Sequence, residues 1–202
     1  MKLLLATNNI GKQKEIRALL ENLDITLLSP LEMGLNLKVV EDGETYQANA
    51  TIKARAFAQA SGIWVLADDS GLEVDALDGA PGLRSARYAP NPHPTDADRR
   101  KFLLHNLKLH KRPWQAQFRC VVALAHPSGE IHHAEGICPG EIIPKERGTQ
   151  GFGYDPIFLI PQKKLTMAEL SMPEKNQLSH RALAISAIRP LLIKKILATR
   201  QF

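Results

Sequence analysis

The polar turn Thr7-Asn8-Asn9-Ile10-Gly11-Lys12 constrains the fold of this chain more than any other stretch. Ahead of it, Leu3-Leu4-Leu5-Ala6 has the apolar run of a short buried strand. Behind it, Ile16, Leu19, Leu20 and Leu23 recur at i, i+3, i+4 and i+7, the spacing of a helix with one apolar face. A second helix is predicted from about Thr45 to Ser61, rich in alanine and closed by Gly62 as its C-cap. Ile63-Trp64-Val65-Leu66-Ala67 then reads as a strand that stops at Asp68-Asp69-Ser70-Gly71. The Gly- and Pro-rich stretch from Ala76 to Pro94 reads as one long loop, and Thr95 or Asp96 caps a helix through about His110.

Downstream, Phe118, Cys120, Val122 and Leu124 alternate ahead of the turn Pro127-Ser128-Gly129, which predicts an antiparallel pair between Gln115 and Ile143. The glycine-rich loop Gly148–Gly153 leads to a strand at Pro156–Ile160, and helices run from Ser179, the last one starting at Pro190. Strands joined both by helices and by a hairpin give an α/β protein with a mixed sheet. The polar motifs after Leu3–Ala6 and Ile63–Ala67 would then sit where open α/β sheets bind ligands.

Composition narrows the function classes. At 202 residues the chain suits one domain, or one domain with two lobes. No apolar run approaches the ~20 residues that span a bilayer, and the apolar start of MKLLLATNN is too short for a signal peptide. The expectation is a cytoplasmic protein with no membrane partner. Cys120 and Cys138 lie far apart, which suits free thiols, and none of the seven histidines has a zinc-ligand spacing. His132 and His133 are adjacent and on a strand would face opposite sides. A net charge of +5 permits an anionic partner. The basic residues are scattered and not interleaved with aromatics, so polyphosphate fits them and nucleic acid does not.

Four segments carry chemistry. The Thr7–Lys12 turn aims backbone N–H groups and the positive end of a helix dipole outward, and Lys12 adds a full charge, which suits a polyphosphate. An ordinary capped βα turn has the same pattern. Asp68-Asp69-Ser70-Gly71 supplies adjacent carboxylates pointing different ways, enough for a Mg²⁺ that keeps waters and substrate phosphates, and Glu41-Asp42-Gly43 could add a ligand. Two solvated turn acids explain the same residues. In Gly148-Thr149-Gln150-Gly151-Phe152-Gly153-Tyr154-Asp155-Pro156, glycines on both sides let Phe152 stack on a planar ligand, while Asp155 could accept from the N–H edge of a base. A hairpin with a packed Phe is the alternative. Glu174-Lys175-Asn176 through Ser179-His180-Arg181 opens a helix with Ser179 at its cap and gathers the donors Lys175, His180 and Arg181.

Taken in order, these segments resemble the inosine triphosphate pyrophosphatase family. The match runs through Leu5–Lys12, Ala48-Asn49-Ala50 with Lys53-Ala54-Arg55, Ala67–Leu72, Gly82–Tyr88, Gly151–Pro156 and Ser179–Arg181, over nearly the whole chain. The resemblance implies a single domain over residues 1–202, with an elongated mixed β-sheet flanked by helices, two lobes around a central cleft, and a homodimer. It implies Mg²⁺-dependent hydrolysis of deaminated purine nucleoside triphosphates (ITP, dITP, XTP) to the monophosphate and pyrophosphate, which keeps non-standard purines out of DNA and RNA.

It also implies roles. Asp69 matches the general base and a metal ligand, with Glu41 and Asp68 helping to hold one or more Mg²⁺. Thr7, Asn9, Lys12 and Lys53 match groups on the triphosphate, Ser70 adds a contact, and Asn8, Ile10 and Gly11 complete that turn. Phe152 would stack on the purine, with Gly153 and Tyr154 beside it, and Asp155, Lys175, His180 and Arg181 would define its edge. Two positions depart from the family pattern: Ala48 stands where an acid often precedes Asn-Ala, and Ala89-Pro90 where Ala-Gly is frequent.

Overall fold

In the computed structural model of the protein, which describes residues 1–199, the first strand β1 is Lys2–Leu5 and the helix α1 is Ile10–Leu20. The Asn9 side chain caps α1 by accepting from the Lys12 amide. There follow β2 (Thr26–Leu28), α2 (Tyr46–Ser61), β3 (Trp64–Val74), α3 (Asp96–Leu107), β4 (Trp114–Ala125) and β5 (Ile131–Ile142). The chain continues through β6 (Phe158–Ile160), β7 (Leu165–Thr166), α4 (Met172–Leu178) and α5 (His180–Thr199). The seven strands pair in the order β2-β1-β3-β4-β5-β6-β7. β1 is parallel to both β2 and β3, whereas β6 is antiparallel to both β5 and β7. The sheet is therefore mixed and the protein is α/β, as its sequence predicts.

The chain divides into two compact units. The first takes Met1–Asp69, Cys120–Gly136 and the segment from His180; the second takes Ser70–Arg119 and Ile137–Ser179. Each has its own apolar core. In the first, Leu3 and Leu5 of β1, Leu66 of β3 and Val122 and Leu124 of β4 meet Ile16 and Leu20 of α1 and Ile185, Ile188 and Leu192 of α5. In the second, Leu72, Val74, Phe118 and Phe158 meet Leu103 and Leu107 of α3, with Tyr154 and Met167 among them. Burying such side chains contributes about 1.5–3 kcal/mol apiece. Both cysteines are free and buried, and burial pushes the Cys120 thiol up to about 12 and that of Cys138 to about 11.

Several boundaries differ from the sequence reading. β3 does not stop at Asp68 but runs on to Val74. The Asp-Asp-Ser-Gly run looks like a turn because those residues favour turns, yet Asp68 and Asp69 find polar partners on α1, α2 and α5. The stretch from Ala76 to Pro94 is not a featureless loop, since Asp75–Leu77 and Gly82–Arg87 are 3-10 turns. Pro156 belongs to a 3-10 turn, Asp155–Ile157, which precedes β6. Pro190 does not start a new helix but lies inside α5. A proline costs a helix one hydrogen bond and crowds the preceding turn, but Ile185, Ile188, Leu192 and Ile196 keep one face of α5 buried across it. β2, β7 and α4 escaped the pattern because they are three, two and seven residues long. Among the described residues, no helix is long and apolar enough to cross a membrane.

Candidate functional site

The first unit gathers charge around the end of β1. β1 pairs with β3 up to Leu5 against Leu66, and the Ala6 amide then donates to the Leu66 carbonyl (2.9 Å). There the chain turns into α1, while β3 runs on past the end of β1 into Asp68 and Asp69. The turn is tied internally: the Asn9 amide donates to Thr7 Oγ1 (3.2 Å), and Gln13 Nε2 donates to the Thr7 carbonyl (2.7 Å). Asn8, Asn9 and Ile10 are exposed. At a helix start the first amides have no partner within the helix, so Ile10 and Gly11 present N–H groups where the dipole favours an anion.

Lys12 lies one turn into α1 and reaches Asp68, with Nζ 3.0 Å from Oδ2. The same oxygen accepts from Arg181 Nε (3.2 Å) and Nη2 (3.0 Å), and Arg181 Nη1 donates to Glu15 in a short ion pair. Asp68, Glu15 and Arg181 are all buried, with Arg181 only 1 % exposed. Burial alone would raise the Asp68 carboxyl, but Lys12, Arg181 and Lys53 more than offset that and hold it far below the usual carboxylate range. Its second oxygen, Oδ1, is buried with no hydrogen-bond partner among the described residues.

Asp69 has a different environment. Successive strand residues face opposite sides, so it points away from the Arg181 network. Asn49 Nδ2 donates to Asp69 Oδ2 (3.1 Å), and Asn49 Oδ1 accepts from the Gly43 amide (2.8 Å). Gly43 has to be glycine, because a Cβ there would stand 2.7 Å from the Ala48 Cβ and 2.8 Å from Asn49 Oδ1. One turn on along α2, Lys53 Nζ donates to Glu41 Oε2 (2.7 Å). Burial raises the Asp69 carboxyl above its ordinary value; Lys53, Lys12 and the Asn49 bond pull it down, and nearby Glu41 adds to the rise. A carboxylate held in one orientation and made more basic by its surroundings is the pattern of a general base.

Whether these acids suit Mg²⁺ follows from their donor atoms. Glu41, Asp69 and Asp68 offer hard carboxylate oxygens, and the buried, unbonded Asp68 Oδ1 is an atom a cation would satisfy. No three His, Cys, Asp or Glu side chains among the described residues converge into a preformed metal nest. Mg²⁺ does not need one, since it is commonly held by one or two carboxylates with waters and substrate phosphates. The donor set fits.

The second unit holds the glycine-rich loop. The Phe152 amide donates to Asp155 Oδ2 (2.9 Å), and Lys175 Nζ donates to the same oxygen (2.6 Å). The Lys175 ammonium lies 5.4 Å from the centre of the Phe152 ring. Gly151 makes this packing possible: its φ is +75°, and a Cβ would fall 2.0 Å from Asp155 Oδ2. On the other side, α3 grips Gly153. Its amide donates to Asp96 Oδ2 (2.7 Å), and its carbonyl accepts from Arg100 Nη1 (2.8 Å).

The other expected site residues are placed within the fold. Arg181, expected at the base edge, is sequestered between Asp68 and Glu15 in the first unit. Tyr154 turns inward and donates its hydroxyl to the Ser85 carbonyl (2.9 Å). His180, the first residue of α5, is buried. Ser70 follows Asp69 along β3 and is half-buried. Ser179 separates α4 from α5 in an extended conformation, where an N-cap belongs. Conversely, Asn49, Glu15, Asp96 and Arg100 were not singled out from the sequence. Asn49 and Lys53 share a helix face at i and i+4, a signal that was present in the alanine-rich run; the other three look like ordinary solvated helix residues.

The chain is similar to known proteins over most of its length. The Ham1 family model matches residues 3–191. The chain is 47% identical over 192 residues to a dITP/XTP pyrophosphatase of Desulforamulus reducens, covering 95% of this chain and 96% of that protein. It is 49% identical over 190 residues to a dITP/XTP pyrophosphatase of Nostoc sp., covering 93% and 92%. Among solved structures, the Staphylococcus aureus Ham1 protein superposes with a TM-score of 0.84 at 38% identity, covering 96% of this chain and 100% of that one. A HAM1 protein from Coxiella burnetii superposes with a TM-score of 0.86 at 38% identity, covering 96% and 99%. A family model spanning nearly the whole chain, with relatives this similar end to end, leaves one conclusion: the chain belongs to the Ham1 family.

Proposed function

We propose that this chain hydrolyses deaminated purine nucleoside triphosphates (ITP, dITP and XTP) to the monophosphate and pyrophosphate. The observation that carries the proposal is Asp69, a half-buried carboxylate raised above its ordinary value, oriented by Asn49 and flanked by Lys12 and Lys53. Relatives named dITP/XTP pyrophosphatase, 43–49% identical over most of the chain, support the substrate class.

Asp69 orients a water and takes its proton as the water attacks the α-phosphorus, and the α–β anhydride bond breaks with pyrophosphate as the leaving group. Lys12 and Lys53 meet the anionic oxygens, and the amides at the start of α1, with Thr7, Asn8, Asn9, Ile10 and Gly11 around them, receive the phosphate chain. Ser70 adds a hydroxyl beside the base. Glu41 and Asp69, with Asp68, would hold Mg²⁺, which when bound supplies charge neutralisation on the phosphates. Asp68 also keeps Lys12 in place, and Lys12, Arg181 and Lys53 keep Asp68 ionised.

Phe152 offers the purine a face to stack on, and Lys175, already held by Asp155, offers a donor to a 6-oxo group. Adenine carries an amino donor at that position, so an ammonium hydrogen would face a donor in place of an acceptor, at a cost of about 1–3 kcal/mol. The protein works as a homodimer in the cytoplasm, as the family resemblance implies. Pyrophosphate release from ITP by the wild type and by Asp69→Asn tests the proposal: a folded variant that releases pyrophosphate at the wild-type rate removes Asp69 from the chemistry.

A further inference from the structure

Phe152 is held through its backbone at consecutive points. Its own N–H donates to Asp155 Oδ2 (2.9 Å), and the next N–H, that of Gly153, donates to Asp96 Oδ2 (2.7 Å). The Gly153 carbonyl accepts from Arg100 Nη1 (2.8 Å). The peptide planes on both sides of Phe152 are thereby pinned, as are those on both sides of Gly153.

The two outer anchors come from one helix face. Asp96 and Arg100 stand at i and i+4 on α3, the spacing that places side chains next to each other. α3 is itself fixed, at its start by the capping box between Thr95 and Asp98 and along its length by Leu103 and Leu107 in the core. Arg100 Nη2 also meets Glu146 Oε2 (2.9 Å), just ahead of the glycine-rich loop, so one guanidinium ties both ends of that loop to the helix.

We infer that Asp96 and Arg100 are positioning residues for the purine: they hold the Phe152 loop in its base-binding conformation and so set affinity for the base rather than for the triphosphate. The inference rests on the proposal that Phe152 stacks on the base. A loop already fixed gives up little freedom when a ligand arrives, and that is how preorganisation raises affinity. Neither residue touches the nucleotide in this account.

The test compares inosine monophosphate, which carries the base, with inorganic tripolyphosphate, which does not. Binding of each is measured for wild type, Asp96→Ala, Asp96→Asn, Arg100→Ala and Phe152→Ala, with amide exchange at residues 152 and 153 as the structural readout. Asp96→Ala and Arg100→Ala should weaken inosine monophosphate about tenfold, the scale of releasing one residue's backbone, and speed exchange at those amides. Tripolyphosphate binding should stay at the wild-type level. Asp96→Asn keeps an acceptor for the Gly153 amide and should restore base binding. In the Phe152→Ala background, Asp96→Ala should add nothing.

If Phe152→Ala loses the base while Asp96→Ala and Arg100→Ala bind it as wild type does, the positioning inference is overturned and the stacking proposal survives. If Phe152→Ala itself binds the base normally, the stacking proposal fails instead. Equal weakening of both ligands would show a merely structural role and also overturn the inference. Should Asp96→Ala or Arg100→Ala fail to fold, Glu146→Ala, at a half-exposed carboxylate, loosens Arg100 and carries the same comparison with a loss of about threefold for the base alone; no difference from wild type there counts against the inference.

Discussion

Arg181 holds Asp68 with two nitrogens, Nε at 3.2 Å and Nη2 at 3.0 Å from the same carboxylate oxygen, in a place where neither residue meets solvent. Glu15 balances the remaining guanidinium edge, and Lys12 joins from the phosphate turn. The pairing links the first turn of α5, the middle of β3 and α1 through charge-assisted hydrogen bonds.

Removing one partner from such a cluster leaves an uncompensated buried charge. Arg181→Met should therefore destabilise the fold by about 3–5 kcal/mol, measured by urea unfolding. Asp68→Asn should cost a similar amount and also release Lys12. A loss below about 1 kcal/mol for Arg181→Met would mean that the cluster is hydrated and weakly coupled.

The two neighbouring aspartates should titrate in opposite senses. The carboxyl of Asp68 is held below its ordinary value, so its contribution is present at neutral pH and lost as pH falls below the ordinary carboxylate range. That of Asp69 is raised, so the folded protein binds its proton more tightly than the unfolded chain does, and stability falls as pH rises from about 3.8 through the raised value. Asp69→Asn removes the second effect and keeps the bond from Asn49. The variant should be at least as stable as wild type at neutral pH, while turnover falls by about 10²-fold or more. A lower melting temperature for Asp69→Asn would contradict this.

Asn49 acts on the chemistry only through Asp69. Asn49→Ala should lower kcat by about tenfold with little change in KM, and should move the acidic limb of the pH–rate profile upward, because a bond that favours the ionised carboxylate is lost. An unchanged acidic limb would show that Asn49 supports the fold and not the base.

These relationships differ in how far the sequence shows them. Thr7–Lys12 and Asp68–Asp69 are legible because polar residues break apolar strands at the end of a βα unit, where ligands bind. The role of Arg181 is hidden, since its partners Asp68 and Glu15 lie 113 and 166 positions away and Glu15 looks like any acid on a helix. The continuation of β3 through Asp68 is hidden for the same reason: the compensating cations are contributed by distant segments, and local propensity reads the run as a turn. Asn49 was visible only as a weak helix former among alanines, and its value lies in the two hydrogen bonds it makes to Gly43 and Asp69.

Lys175 should govern the choice of base. Its ammonium sits between Asp155 and the Phe152 ring, so Lys175→Met removes the donor and leaves a buried carboxylate unpaired by it. The ratio of kcat/KM for ITP over ATP should fall by about 10- to 100-fold, with the inhibition constant of tripolyphosphate unchanged. A preserved ratio would place the discrimination elsewhere.

The central claim is tested most directly by a hydrolysis panel of ITP, XTP, dITP, GTP, ATP and dTTP, with Mg²⁺ and with chelator, in which pyrophosphate and orthophosphate are measured separately. Pyrophosphate is expected as first product from ITP, dITP and XTP, with little turnover of ATP and dTTP and loss of activity when the metal is removed. Orthophosphate as the first product, or equal rates on ATP and ITP, would contradict it.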